Sequence, residues 1–315
     1  MLKFLFNIVP NKKLRRRLRF KFIEKDEILK SHQESAKYFD ENYIFPFLNG
    51  NINEKFIKPK QDLGTEKIIW QYWGQGINES TPEMVKACLN SVDKYKEDYK
   101  QIILTNDSIK EYIDLPEYVY EKLEKGQFTY TFFSDLLRVC LLSAYGGVWI
   151  DATILLTNSI NKEYLLQDFF VFQRAECPEV INKWIDFNRT YFIWDERCKV
   201  NFLSSFWVAK KNNLLINALR DILLEFWEKE NKLKEYFTLH FMFDTLAKQE
   251  KYKKFVENPV SELPSHLMQT MLKEKYTPEL WNKIISQTNI HKLTYKIKFK
   301  KHCYRNSIAE YIITK

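Results

Sequence analysis

A chain of 315 residues with 45% hydrophobic side chains, among them 24 Phe, 18 Tyr and 8 Trp, carries ample apolar mass for a buried core, and its 29% charged fraction argues against extended disorder. No apolar run approaches the roughly 20 residues of a membrane-spanning helix, and five scattered cysteines without CxxC spacing argue against a zinc site or a disulfide framework and for a reducing, cytoplasmic setting. The formal charge of +8 favours anionic partners, whether nucleic acid, an anionic membrane, a nucleotide or a phosphorylated lipid, without choosing among them.

The first ten residues, MLKFLFNIVP, are apolar but short, are broken by Lys3 and Asn7, and precede rather than follow the charge cluster. With no small-residue cleavage site they do not read as a signal peptide. In NKKLRRRLRFKFIEK, Leu14, Leu18 and Phe22 fall on one helical face, with Arg15, Arg16, Arg17 and Arg19 around it. Such a basic amphipathic helix suits a membrane surface; the plain alternative packs the apolar face on the domain and leaves the arginines solvated. Residues 1–62 are expected to form a helical extension and 63–315 one α/β domain.

From Lys67 the texture changes. KIIWQYW reads as a strand, GQGINESTP as turns, and Thr81-Pro82 as a helix start with Thr81 as N-cap. QIILTND is a second buried-type strand, and SIKEYI opens another helix. Strand and helix in alternation predict an α/β domain with parallel strands. All seven glycines lie at or before Gly147, whereas later segments such as LLINALRDILLEFWEKENKLKEYF read as long amphipathic helix.

The stretch FFSDLLRVCLLSAYGGVWIDAT, residues 132–153, joins these textures. Its first part is an almost wholly apolar helix, hence buried, with Ser134 expected at the N-cap. Asp135 and Arg138, spaced i, i+3, are the charged residues of that helix and are costly to bury unsatisfied. They form either an internal ion pair or the wall of a polar cleft for a hydroxylated, phosphorylated ligand. Gly146-Gly147 ends the helix through positive-φ backbone, and VWID then forms a short strand that ends on Asp151, at its carboxyl end. Open α/β sheets bind ligands there; the alternative is an ordinary turn residue.

SDLLR followed by YGGVWIDAT resembles the SDxxR...YGGxYxDxD signature of glycosyltransferase family 32 and its relatives, above all the capsular polysaccharide synthesis proteins and, more distantly, the glucosylating toxins. KIIWQYWGQG resembles that group's opening strand, and EYFTLHFMFD and IHKLTYK its later blocks, so the resemblance runs from about residue 65 to the end. It implies an α/β, GT-A-like fold with a mainly helical C-terminal part, a UDP-sugar donor and a divalent cation, Mn²⁺ or Mg²⁺. Asp151 would bind the metal as a hard oxygen ligand. Asp135 and Arg138 would hold the donor sugar and diphosphate. Trp73 would stack beside the base, with Tyr72 and Trp70 competing for that place. The signature's second acid is replaced by Thr153, a poorer ligand, so His291 is the candidate for a further metal ligand, with Lys292 near the phosphates. Ala152 would shape the sugar pocket, and His240 and Asp244, i and i+4 on one helix, would lie by the acceptor.

The activity these features imply is transfer of a hexose to a lipid-linked (polyprenyl-diphosphate) saccharide during capsule or surface polysaccharide assembly. Retention of configuration is expected, at the inner face of the plasma membrane. A toxin-like transfer to protein is the alternative enzyme. A nucleic-acid-binding scaffold would account for the charge, but no nucleic-acid module is recognisable, and nucleic acid is not expected as a partner.

Overall fold

Large apolar side chains alternate along the strands, and this alternation sets the architecture. In the computed structural model, which describes residues 11–175, 177–296 and 305–314, the strands are β1 (Ile68–Tyr72), β2 (Lys100–Leu104), β3 (Gly147–Ile150), β4 (Ile154–Leu156), β5 (Phe169–Gln173), β6 (Phe202–Ala209), β7 (Val260–Ser261) and β8 (Ile290–Lys292). Six form one sheet in the order β2-β1-β3-β6-β5-β7, and β4 pairs with β8 in a separate ribbon. The β2-β1-β3 half is parallel, β6 runs antiparallel to both β3 and β5, and β7 is parallel to β5. Ile68, Trp70, Trp149, Val171 and Trp207 enter one apolar core, whereas Ile69, Val148, Ile150, Phe170 and Val208 enter another. Successive strand residues face opposite sides, so this sheet is covered on both. The α/β class expected from the sequence is what the structure has.

The helix Glu83–Tyr95 connects β1 to β2, and the helix Tyr130–Tyr145 leads directly into β3. Two local expectations shift. The hydroxyl of Thr81 accepts from the Asn78 N–H, and Pro82 rather than Thr81 occupies the cap of its helix. The central helix starts a turn earlier than expected: Thr129 caps it by accepting from the Phe132 N–H, while the Ser134 hydroxyl donates to the Thr131 carbonyl. The run LLINALRDILLEFWEKENKLKEYF, expected as long helix, is helical over Leu214–Lys229 and then breaks; the next helix, Thr238–Ala247, begins just beyond it.

Residues 1–10, including the apolar tip, lie outside the described residues. From Lys12 to Leu48 the chain is helical throughout, with π-helical turns at Phe20–Glu24 and Asp40–Ile44. Its inner face joins the main core: Phe39 stacks on Phe241 at 6.0 Å, and Tyr43 meets Phe226 at 5.3 Å. The helical extension thus packs directly on the α/β domain. Its outer face keeps Leu14 and Phe22 about half exposed.

The paired glycines have separate tasks. Gly146, at φ +74°, caps the Tyr130–Tyr145 helix and donates its N–H to Leu142. Its carbonyl accepts the buried indole N–H of Trp70 at 2.9 Å. Gly147, at φ +102°, lies so close to β1 that a Cβ would stand 2.6 Å from the Ile68 carbonyl oxygen. Adding that methyl combines positive-φ strain with a backbone clash. Gly147→Ala is expected to lower stability by at least about 2 kcal/mol, read from urea unfolding. An unchanged midpoint would show that this approach of β1 to β3 is not tight.

Candidate functional site

Because β1 and β3 are parallel, both release their chains at the same edge of the sheet. Trp73 and Gly74 follow β1, and Asp151 follows β3. The helix preceding β3 runs back past that edge and brings Asp135 and Arg138 beside it. Arg138 is only 1% exposed. Its guanidinium lies over the rings of Trp149 (5.1 Å) and Trp207 (5.6 Å), a cation–π arrangement suited to a desolvated cation. Nη1 donates to Asp135 Oδ1 at 2.8 Å and Nη2 to Asp151 Oδ1 at 3.3 Å. Asp151 also accepts the Trp149 indole N–H at 2.8 Å and, through Oδ2, the Lys292 ammonium at 3.1 Å.

These contacts drive the two carboxyls apart. Burial is the largest influence on both and favours their neutral forms. At Asp151, Lys292 and Arg138, with hydrogen bonds from Trp149 and Ser205, outweigh burial and hold the group far below the usual carboxylate range. At Asp135, burial prevails over Arg138, and the neighbouring Asp151 charge adds to it, pushing the group up to about 6. Asp151 is thus a permanent anion, and Asp135 a group that titrates near neutrality.

A cleft of about 620 Å³ opens over this cluster. Of the residues expected at the site, Tyr72, Trp73, Asp135, Arg138, Asp151 and Lys292 line it, as do Ala152 and Thr153. Among the three aromatics at the end of β1, Trp70 is fully buried, and the Tyr72 hydroxyl is engaged with Asn106 at 2.5 Å. Trp73 meets Tyr295 edge-on at 5.3 Å. The pairing of β4 with β8 places Lys292 opposite Ile154, and the Leu293 N–H donates to the Thr153 carbonyl. The Lys292 ammonium consequently reaches Thr153 Oγ1 at 2.8 Å as well as Asp151.

Two expectations are corrected. His291 is not among the cleft-lining residues: it is wholly buried, its Nε2 lies 3.1 Å from Thr157 Oγ1, and burial lowers its pKa to about 3. Adjacent strand residues face opposite sides, so the strand that delivers Lys292 turns His291 away. His240 does line the cleft, but Asp244 is tied to Asn201, Lys199 and Lys248 and does not.

The far half of the cleft is walled by Tyr191, Tyr236, His240 and His266. Behind it, Glu262, fully buried, takes two hydrogen bonds from Arg174, whose guanidinium is stacked among Tyr191, Phe192 and Trp194. This buried pair fixes the Tyr191 hydroxyl and stiffens the wall. The sequence reading missed Trp149, Ser205 and His266. Trp149 was within reach, since in VWID it shares a strand face with Asp151. The other two come from distant segments and left no local signal.

The donor set does not fit a resident divalent cation. The carboxylates lining the cleft are Asp135 and Asp151, both bonded to Arg138, and the free oxygen of Asp151 together with the Thr153 hydroxyl is held by Lys292. A hard dication wants several anionic or neutral oxygens, and here two cations already hold them. Among the described residues no group of three or more His, Cys, Asp or Glu side chains is arranged to hold a metal.

Among curated proteins, the chain is 22% identical over 182 residues to the O-glycosyltransferase braB of Annulohypoxylon truncatum, covering 55% of this chain and 40% of the relative. The chain thus spans less than half the length of that relative. Among solved structures it is similar to PaToxG glycosyltransferase, with 16% identity and a TM-score of 0.37 over 84% of this chain and 94% of that one. It is also similar to a glycosyltransferase involved in the glycosylation of the major capsid of PBCV-1, with 8% identity and a TM-score of 0.34 over 72% and 93%. A family model for capsular polysaccharide synthesis proteins matches residues 19–312, from the N-terminal helix through β8 and beyond, and the chain belongs to that family.

Proposed function

We propose that the protein is a glycosyltransferase that moves a hexose from a UDP-sugar to a lipid-linked saccharide in capsular or surface polysaccharide assembly. The observation that carries this reading is the cluster of Asp151, Arg138 and Lys292 at the carboxyl edge of β3, with Trp73 in the same cleft. Two cations suit a diphosphate, and an indole beside them offers a flat face for a base. Asp135 accepts from Arg138 through Oδ1, and its other oxygen is available to a sugar hydroxyl.

In the reaction, the bond from the anomeric carbon to the β-phosphate oxygen breaks, and its electron pair leaves with the UDP. The acceptor hydroxyl oxygen supplies the pair for the new bond, and its proton passes to the departing phosphate. Arg138 and Lys292 stabilise the negative charge that develops there. With Asp135 and Asp151 both drawn toward Arg138, attack from the face the diphosphate leaves, hence retention, is the reading we adopt.

The acceptor and location rest on the N-terminal helix. It leaves Leu14 and Phe22 exposed beside Arg15 and Arg16, while Arg17 binds Asp186 at 2.6 Å. The next residue, Phe187, lines the cleft. A helix lying on the inner leaflet would therefore sit close to the acceptor end, as a polyprenyl-diphosphate saccharide requires. Among the described residues no helix is long and apolar enough to cross a membrane.

Three outcomes are expected. Incubating the purified protein with a panel of nucleotide sugars and a saccharide acceptor should release UDP from at least one, and Asp151→Asn should cut that rate by about 100-fold or more. Failure of every UDP-sugar would overturn the reading. Because Asp135 is ionised above a pKa of about 6 and neutral below it, turnover should fall as pH drops through that value. Asp135→Asn should lower the rate and remove that limb. Replacing both Leu14 and Phe22 by Glu should weaken co-sedimentation with anionic vesicles by about tenfold, roughly 1.4 kcal/mol. Turnover of a water-soluble acceptor should stay unchanged; undiminished vesicle binding would remove the membrane role of this helix.

A further inference from the structure

We propose that Lys292 is the cation of the leaving-group site: its ammonium, bridging Asp151 and Thr153, takes the donor diphosphate directly, and transfer proceeds without a divalent metal. The inference rests on the nucleotide-sugar reading above and says how that site handles charge.

The geometry is built rather than incidental. Lys292 is fixed by backbone, since β8 pairs with β4 immediately after the Asp151 turn and the Leu293 N–H is bonded to the Thr153 carbonyl. Its head reaches Asp151 Oδ2 at 3.1 Å and Thr153 Oγ1 at 2.8 Å, yet the side chain remains 22% exposed on the cleft. An ammonium has three N–H donors. Two are used, and the third is available to a phosphate oxygen.

Charge makes the same point. Asp135 and Asp151 are balanced by Arg138 and Lys292, so the cluster is neutral before the donor arrives. A second carboxylate at position 153 would leave an excess negative charge for a metal to neutralise. Thr153 provides none. Lys296, also on the cleft, adds a further positive charge toward the incoming diphosphate. During transfer the pair from the broken anomeric bond goes to the β-phosphate oxygen. Lys292 donates a hydrogen bond to the diphosphate without giving up its proton, and the acceptor's proton neutralises the released oxygen.

The test uses the full-length protein stripped with EDTA. Calorimetric binding of UDP and release of UDP from the active nucleotide sugar are measured in EDTA and again with excess Mn²⁺. Both are expected to agree within about twofold between the two conditions. Lys292→Met should lower turnover by about 100-fold and weaken UDP binding, with no rescue by Mn²⁺. Lys292→Arg, which keeps the charge, should retain more turnover than Lys292→Met. Loss of UDP binding or turnover in EDTA, restored by Mn²⁺, would overturn the role of Lys292 and leave the transferase reading standing. Absence of UDP binding and of turnover in both conditions would sink both.

Discussion

The Arg138 guanidinium, withdrawn from water between two tryptophan rings and held by two carboxylates, is the constraint around which the cleft is organised. Removing such a cation from solvent is expensive, and leaving either carboxylate without it would cost about 3–5 kcal/mol. Its partners come from three places: Asp135 one turn earlier on the same helix, Asp151 beyond the glycine turn, and the indole rings of β3 and β6. The fold can satisfy Arg138 only when helix, turn and both strands are in register. The same register sets Asp151 at the edge of the sheet beside Trp73. Burial of one charge therefore couples the integrity of the core to the shape of the cleft.

Much of this was legible in the sequence because the determinants are local. The strand-helix alternation after Lys67, the i, i+3 pair on an apolar helix, and the glycines before VWID all lie within short windows, and each has a direct structural counterpart. The helix starts at Thr129 although Ser134 is an equally good capping residue chemically; the burial of Phe132 and Phe133 favours the earlier start. His291 was misplaced for a reason of parity. In a strand, neighbours point apart, so His291 and Lys292 cannot both face the cleft, and the sequence alone does not say which face of β8 meets it. Ser205 and His266 arrive by pairings and packing more than 50 residues from Asp151, and nothing near them announces their destination.

The two halves of the cleft differ in how they are stiffened. The half near Asp151 depends on a buried Arg138 whose partners Asp135 and Asp151, with Lys292, remain partly exposed on the cleft. The far half is backed by the Arg174–Glu262 pair, fully enclosed and stacked on aromatic rings, with His240 and His266 lining the surface in front. Among the buried polar atoms without a hydrogen-bond partner are ring nitrogens of both histidines. The N-terminal helix meets this half through Asp186, next to Phe187, so a surface the sequence suggested as a separate extension is continuous with the wall of the cleft.

The ribbon of β4 and β8 ends at Lys292, and three residues beyond it stands the Tyr295 ring that meets Trp73. One short strip of backbone thus places a cation and an aromatic ring on the same cleft, where in the proposed reading they would meet the charged and the flat end of a nucleoside diphosphate. A ligand that fills only one end holds that strip at a single point. In that reading, discrimination between a whole nucleotide and its fragments would follow from the span of four residues, not from the strength of any single contact.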